Sequence, residues 1–412
     1  MSESLAQIFS PFYFILCAIF PEFNVVALLS IGKLFYEPRL SIIYPFSLNH
    51  INLLILIFHL ILFGRRVAFR QLKIPHFMPF LIFILWLIVS SLLLSHFPDY
   101  ALEKLISLLV FSVLSIILIA IRVELKGTIV LQNVLLSLLF ISSTLAVFAC
   151  IKWIQTPGIY RLSVLGGGPI GLGRMAGVGL IILMLLKRKQ LDGLLKYQSI
   201  FWVLTGALSF SLLLTLTKGP LIGLILTLLM AGRITKHAWL PRKRIIILAV
   251  GLIFLCILID FFRKSIDPAV SIWYGSYVIR IEHTIHALNA FIHNPIWGIG
   301  LGNFSEWGNG WLYPHNLLME VLSETGVIGF ILLGIVLYPM FTRFIAKKNT
   351  YQTVFIVLTL FMFLNQMVSS DIIGARFLWF YYYLYMIAIQ YGDQKLNSNS
   401  PANVMTNVGE IK

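Results

Sequence analysis

Long uninterrupted runs of apolar residues recur along the whole chain. Each run has about 18–25 residues, the length that crosses the hydrocarbon core of a bilayer as an α-helix. The runs are continuous rather than alternating, and alternation would be needed for membrane β-strands. The pattern predicts about twelve spans, with the approximate limits 8–31, 46–64, 76–95, 105–121, 129–151, 169–186, 198–217, 219–232, 245–262, 323–342, 352–370 and 374–391.

The placement of charge supports this map. Only 11% of the 412 residues are charged and 59% are hydrophobic, far from the composition of soluble domains. With the N-terminus in the cytoplasm, most of the 31 Lys and Arg residues fall in inner loops, as the positive-inside rule predicts. We therefore predict an all-α, polytopic protein with one transmembrane domain (1–392), a disordered cytoplasmic tail (393–412) and both termini inside.

Composition also narrows the classes of partner and cofactor. Membrane topology accounts for the net charge of +15, so we expect no nucleic-acid partner. The cysteines (Cys17, Cys150 and Cys256) lie in apolar runs without metal-like spacing and indicate buried small side chains. The acidic and histidine residues of the outer loops are scattered, so we expect neither a metal nor a cofactor. The N-terminus has no basic segment before its first apolar run, which predicts that this run is retained as an anchor.

One outer loop, residues 263–315, is much longer than the others. Long loops in compact chains are usually functional or disordered, and this one is too rich in Trp and Tyr for a free linker. Within it, residues 277–293 have apolar positions at helical spacing. They predict a helix along the membrane surface.

The most informative residue is His315, at the outer mouth of a predicted helix. Pro314 precedes it and Asn316 follows, and Asn is a strong helix cap. On a regular helix, Gly326 and Gly329 would share the face of His315 and let another helix approach. A helix N-terminus disfavours imidazolium, which favours a neutral base near pH 7. The alternative is an interfacial histidine without a catalytic role.

A glycine-rich run, Asn294–Phe304, lies just upstream and contains Pro295, Gly298, Gly300 and Gly302. It differs from a dinucleotide-binding loop, because no strand precedes it and no acidic ribose partner follows. The alternating glycines predict a close backbone approach, either to a glycan or to a neighbouring helix.

Four cations on the outer side are candidates for gripping phosphate. Arg174 lies inside a predicted span, where a charge is costly and usually marks a functional site. Arg161 precedes the segment Gly166–Gly173, Lys218 lies in a tight turn and Arg280 lies in the long loop. Guanidinium groups bind phosphate oxygens bidentately. The alternatives are a structural pair for Arg174 and snorkelling to the interface for Lys218 and Arg280.

These residues together resemble the O-antigen ligase and polymerase superfamily of bacterial membrane glycosyltransferases. The resemblance rests on His315-Asn316 with Gly326 and Gly329, on the Pro295–Phe304 run, on the Arg161 loop and on the turn Thr217-Lys218-Gly219. It is diagnostic over roughly residues 160–330. At position 218 the superfamily more often has arginine, which weakens the phosphate assignment for Lys218.

The resemblance implies transfer of a glycan from a polyprenyl diphosphate to a sugar hydroxyl at the periplasmic face of the bacterial inner membrane. His315 would be the base or acceptor-positioning group, and Arg161, Arg174 and Arg280 would hold the diphosphate. The transfer would be inverting and metal-independent. A flippase that delivers the donor and a chain-length regulator are the implied partners, besides membrane lipid.

Two functions within the superfamily remain open. The Leu165–Pro169 loop favours a polymerase of O-antigen, exopolysaccharide or capsule repeat units. An O-antigen ligase that transfers the polymer to the lipid A core is the alternative. From another class, a lipid-linked glycan flippase or exporter is disfavoured, because the polar residues concentrate at one face rather than near the midplane.

Overall fold

A computed structural model of the protein describes residues 2–30, 48–68, 72–157, 161–165, 167–186, 198–234, 250–251, 272–343 and 349–398. Within these ranges the secondary structure is helical. The helices are α1 (Ser2–Ile19), α2 (Pro21–Ser30), α3 (Leu48–Gly64), α4 (Phe77–Leu94), α5 (Pro98–Ile106), a π-helix (Ser107–Val113), α6 (Leu114–Lys126), α7 (Ile129–Gln155), α8 (Pro169–Leu185), α9 (Gln198–Leu214), α10 (Lys218–Ile234), α11 (Ile272–His293), α12 (Phe304–Trp307), α13 (Leu317–Thr342), α14 (Thr350–Gln366) and α15 (Arg376–Ser398).

The predicted all-α class is confirmed over these residues, and most predicted spans match a helix within a few positions. Four of the described stretches are long and apolar enough to cross a membrane: Phe77–Leu94, Pro98–Lys126, Ile129–Gln155 and Leu317–Thr342. Shorter apolar helices cover Asn49–Gly64, Pro169–Leu185, Gln198–Leu214, Lys218–Ala231 and Thr350–Gln366. A multi-pass membrane protein is therefore well supported, while the count of twelve spans stays a prediction.

Several predicted boundaries differ from the structure, among them the span at 105–121, which lies in a helical stretch that runs from Pro98 to Lys126. The span at 8–31 is two helices, because the chain leaves the helical state at Phe20, before Pro21. The span at 323–342 begins earlier, at Leu317. The predicted tail is helical as far as Ser398. Cys256, the tail beyond residue 398 and most of the span at 245–262 lie outside the described residues.

Helix α8 lies at the centre of the bundle and is buried on all sides from Leu172 to Leu185. It packs against α7, α9, α10 and α14. A Cβ on Gly177 would lie 2.5 Å from the Phe361 ring of α14, and one on Gly173 would lie 2.7 Å from the Thr217 hydroxyl. Lipid gives no hydrophobic drive between helices, so such close packing at small residues is what holds them together.

Helix α13 is broken at Gly326, whose φ of 65° and ψ of −168° are not helical. The break frees three carbonyls, and groups outside the helix donate to each of them. Ile299 N–H donates to Ser323 O (2.9 Å), and Gly300 N–H donates to Glu324 O (3.0 Å). The Trp86 indole N–H donates to Thr325 O (3.2 Å).

The glycine-rich run Asn294–Phe304, from here on called the glycine-rich loop, thus fits into the break in α13. Val327 N–H donates back to Pro295 O (2.9 Å), and Gly298, Gly300 and Gly302 all have positive φ. A Cβ on Gly326 would collide with Ile296 O, and one on Gly298 would collide with the Glu324 carbonyl carbon. Of the two approaches that the sequence left open, the structure shows the loop against a neighbouring helix.

The predicted shared face of His315, Gly326 and Gly329 is wrong. That prediction assumed one regular helix, whereas His315 precedes the helix with a φ of 58° and Gly326 interrupts it. The expected close approach of another helix does occur at Gly329. A Cβ there would lie 3.1 Å from Trp86 of α4.

We predict that Gly326→Ala lowers the free energy of unfolding by more than about 2 kcal/mol, because alanine adds both strain at positive φ and a backbone collision. The measurement is the thermal unfolding midpoint of the purified protein in detergent. Gly334→Ala in the same helix is the matched control, since a Cβ there meets nothing within 4 Å. Equal midpoints for the two variants would contradict this interpretation of the break.

Candidate active site

His315 lies in the short connection between α12 and α13, immediately before the cap of α13. The Asn316 side chain accepts from Leu318 N–H (3.0 Å) and Met319 N–H (3.2 Å), which confirms the predicted helix start. The Asn316 amide also donates to Met367 O (3.0 Å). His315 has left-handed backbone, uncommon for a residue with a side chain. Its position is therefore fixed from both sides, by the cap and by the turn after α14.

Three aromatic side chains surround the half-buried imidazole of His315. The His283 ring of α11 stacks nearly parallel to it, with centroids 5.5 Å apart and an interplanar angle of 11°. Tyr313 meets it edge-on at 4.6 Å, and Trp311 lies 5.9 Å away. His283 is buried, and its Nδ1 has no hydrogen-bond partner among the described residues. This arrangement holds the His315 ring by packing.

One arginine lies close to this histidine, and a second lies close to the first. Arg280, one turn before His283 on α11, is near enough for its charge to act on His315. Arg161 acts in turn on Arg280. The loop that carries Arg161 is tied down, because Leu162 N–H donates to Leu214 O (3.1 Å) and the Lys152 ammonium donates to Ser163 O (2.7 Å). Arg161 itself is exposed.

Burial and these charges together determine the protonation of the site. Burial, the adjacent His283 and the positive charge of Arg280 lower the pKa of His315 to about 4, against an opposing effect of Asp371. Burial lowers the pKa of Arg280, and the repulsion from Arg161 lowers it further. Burial also lowers the pKa of His283. The free site therefore holds a neutral imidazole beside Arg280, whose positive charge is in turn repelled by that of Arg161.

Arg174 lies deeper, buried in α8. Its Nη2 donates to Ser369 O (2.6 Å), to the Ser369 hydroxyl (3.2 Å) and to Asn365 O (3.4 Å). Its Nε has no partner among the described groups. A Cβ on Gly219, the residue after Lys218, would lie 3.4 Å from the Ser369 hydroxyl. The first turn of α10, which contains Lys218, thus lies beside the turn that Arg174 holds.

A buried charge cluster that the sequence analysis missed lies next to this site. Lys104 of α5 contacts Glu320 (2.7 Å) and Glu324 (2.8 Å) of α13, and all three side chains are fully buried. Glu320 also accepts from Ile372 N–H (2.9 Å). The cluster therefore joins α5, the first half of α13 and the turn before α15.

Asp371 belongs to the same turn and faces the site electrostatically. Its carboxylate accepts from Gly374 N–H (2.8 Å), and its charge acts on His315 and Tyr313. Burial raises the pKa of Tyr313, and the nearby carboxylates of Asp371 and Glu320 add to the effect. Lys104 lies inside α5, and Glu320 and Glu324, four residues apart on α13, both present their carboxylates to it.

The structure brings most of the predicted site residues together. His315 lies near Arg280, and Arg280 lies near Arg161. Arg174 and the first turn of α10, which contains Lys218, both lie near Ser369. The motif residues lie at the break in α13 and in the glycine-rich loop that fills it. They are Pro295, Gly298, Gly300, Gly302, Gly326 and Gly329. The missed residues are Tyr313, His283, Asp371, Lys104 and Glu320. The only sequence signal for the last two was an ionisable residue inside an apolar run.

Comparison with protein families identifies the central part of the chain. Residues 203–334 match the family model described as O-antigen ligase. The match includes His315, Arg280, Lys218 and the glycine-rich loop, whereas Arg161 and Arg174 precede it. Members of this family are membrane enzymes that transfer glycans in polysaccharide and lipopolysaccharide synthesis. No curated protein matches the chain.

We predict that Lys104→Met lowers the free energy of unfolding by about 3–5 kcal/mol, since it leaves two buried carboxylates without their counter-charge. The thermal midpoint in detergent measures the loss. Adding Glu320→Gln and Glu324→Gln should recover part of it. The control is His96→Ala, which removes an exposed contact to Glu306 and should cost less than about 1 kcal/mol. An unchanged midpoint for Lys104→Met would rule out a stabilising role for the cluster.

Proposed function

We propose that this chain, whose residues 203–334 match the family model described as O-antigen ligase, transfers a glycan from a polyprenyl diphosphate to a sugar hydroxyl. The observation that carries the proposal is the neutral imidazole of His315, stacked on His283 one turn from Arg280, with Arg161 acting in turn on Arg280. An acid–base group next to cations that have no acidic partner among the described residues fits a reaction in which an anionic leaving group departs.

Arg161 and Arg280 supply the site for the diphosphate. Two guanidinium groups that repel each other in the free protein are stabilised when an anion lies between them. Arg161 is exposed and Arg280 half-buried, so an incoming donor can reach both. Their charges stabilise the negative charge that builds up on the diphosphate as the glycosidic bond breaks.

His315 takes the proton of the acceptor. The acceptor oxygen attacks the anomeric carbon of the donor, the bond from that carbon to the diphosphate oxygen breaks, and its electron pair leaves with the diphosphate. The hydroxyl proton passes to the neutral His315 imidazole, and the anomeric configuration is inverted. A bound diphosphate offsets the field of Arg280, so the proton affinity of His315 rises when the donor arrives.

Arg174 and Lys218 add two further cations to the Arg161 and Arg280 pair. The Nη2 atom of Arg174 is engaged by Ser369 and Asn365, which fixes the turn that carries Asp371. We assign to Arg174 both this positioning role and a positive field towards the diphosphate. Lys218 lies in the first turn of α10, beside the turn with Ser369, and adds a cation in place of the more usual arginine.

The acceptor distinguishes the two candidate enzymes. A polymerase, favoured by the Leu165–Pro169 loop, joins repeat units, whereas a ligase transfers the finished polymer to the lipid A core. The ligase is kept as the second candidate because the matched family is described as O-antigen ligase. Either enzyme works without a metal in this proposal, with its site on the periplasmic face, both termini in the cytoplasm and twelve spans. A flippase supplies the donor and a regulator sets chain length.

We predict that His315→Ala folds normally and reduces transfer from lipid-linked donor at least about 100-fold, because the base is gone. The control is His293→Ala, an exposed histidine on α11 that contacts Trp307. The surface polysaccharide of cells that carry only the His315→Ala variant distinguishes the two enzymes. Chains of a single repeat unit identify a polymerase, and polymer that is not attached to the lipid A core identifies a ligase. Wild-type transfer by a folded His315→Ala protein would remove His315 from the mechanism.

We predict that the acid limb of kcat/KM lies well below pH 6.5, towards about 4, because His315 loses its proton there in the free enzyme. Arg280→Gln removes a positive charge, stabilises imidazolium and so moves the limb to higher pH. Lys126→Gln, the same charge change at an exposed position, should leave it in place. A limb near 6.5 in the wild type, or no movement in Arg280→Gln, would contradict the assignment.

A further inference from the structure

Trp311 is an exposed aromatic residue next to the proposed base. Its indole lies 5.0 Å from the His283 ring and 5.9 Å from the His315 ring, yet 48% of the residue is exposed. One side of the indole therefore packs on the histidine pair, and the rest is open beside His315. None of the steps proposed above uses this surface.

The backbone around Trp311 is fixed rather than left as a loose loop. Gly308 N–H donates to Phe304 O (2.8 Å), Gly310 N–H to Ser305 O (3.0 Å) and Trp311 N–H to Gly308 O (3.0 Å). Asn309 and Gly310 both have positive φ, which turns the chain tightly back over α12. The indole is thus held in place before any ligand binds, which reduces the entropy lost on binding.

We propose that the exposed face of Trp311 is a platform for the acceptor sugar, on which the apolar C–H face of a pyranose ring stacks with its hydroxyl towards His315. The proposal rests on the glycan transfer proposed above. Ring C–H groups carry a slight positive charge and fit the negative face of an indole. The ring hydroxyls at the edge of such a stacked sugar lie within reach of the neighbouring imidazole.

The same chemistry separates acceptor from donor. The negative face of an aromatic ring repels an anion, so it directs the diphosphate away from Trp311 and towards Arg280 and Arg161. The hydroxyl that loses its proton belongs to the acceptor, and it must lie beside His315. The sugar on the platform is therefore the acceptor's.

An exposed tryptophan could also serve as an anchor at the membrane interface, and the test separates the two roles. Trp311→Leu keeps an apolar side chain for anchoring but removes the aromatic face, and Trp311→Phe keeps a face. We expect Trp311→Leu to raise the KM for the acceptor roughly three- to tenfold. We expect an unchanged KM for the donor, and Trp311→Phe to recover most of the loss.

The matched control is Trp202→Leu. Trp202 is also 48% exposed, but it lies twelve residues before Leu214 on α9, roughly 18 Å from the end that contacts the Arg161 loop. Wild-type acceptor KM in Trp311→Leu, or equal losses in the Leu and Phe variants, would overturn the platform. A rise confined to the donor KM would overturn the acceptor assignment. The glycan-transfer proposal stands or falls separately, on His315→Ala.

Discussion

The break in α13 at Gly326 is the constraint on which the rest of the site depends. Within a bilayer, backbone groups that lose their helical partners must find others inside the protein. Here Ile299, Gly300 and the Trp86 indole satisfy the freed carbonyls. The glycine-rich loop is thereby fixed to α13 and α4. Because the loop continues into α12 and the His315 connection, the position of the imidazole depends on how the break is filled.

Only glycine permits this fit. Gly298, Gly300 and Gly326 have positive φ. Gly298 and Gly326 lie where the backbones of the loop and α13 touch, and Gly300 lies against the backbone of Leu94 in α4. The Asn303 side chain completes the attachment by donating to Leu94 O (2.9 Å) and Ile299 O (2.6 Å) while accepting from His96 N–H (2.8 Å). The motif of alternating glycines is therefore structural, and it acts on the chemistry only by positioning α12 and the connection that carries His315.

Buried charges fix the elements around the break. Lys104 holds Glu320 and Glu324 on the first half of α13, and Glu320 holds the turn with Asp371 through Ile372 N–H. Arg174 holds the other end of that turn through Ser369. Such groups are costly in a membrane unless they are paired. The pairing makes the positions of α5, α8, α13 and the 365–371 turn interdependent.

The sequence by itself determined the helices, because apolar runs of bilayer length and caps such as Asn316 are local signals. It also singled out His315, Arg161, Arg174 and Arg280 as candidates, since ionisable residues inside or between apolar runs stand out in a chain of this composition. It could not determine the break at Gly326, because a glycine inside an apolar run fits a straight helix equally well. Nor could it pair Lys104 with Glu320 or place His283 and Trp311 against His315. Those contacts join residues that are far apart in sequence, and only the packing of the helices in three dimensions decides them.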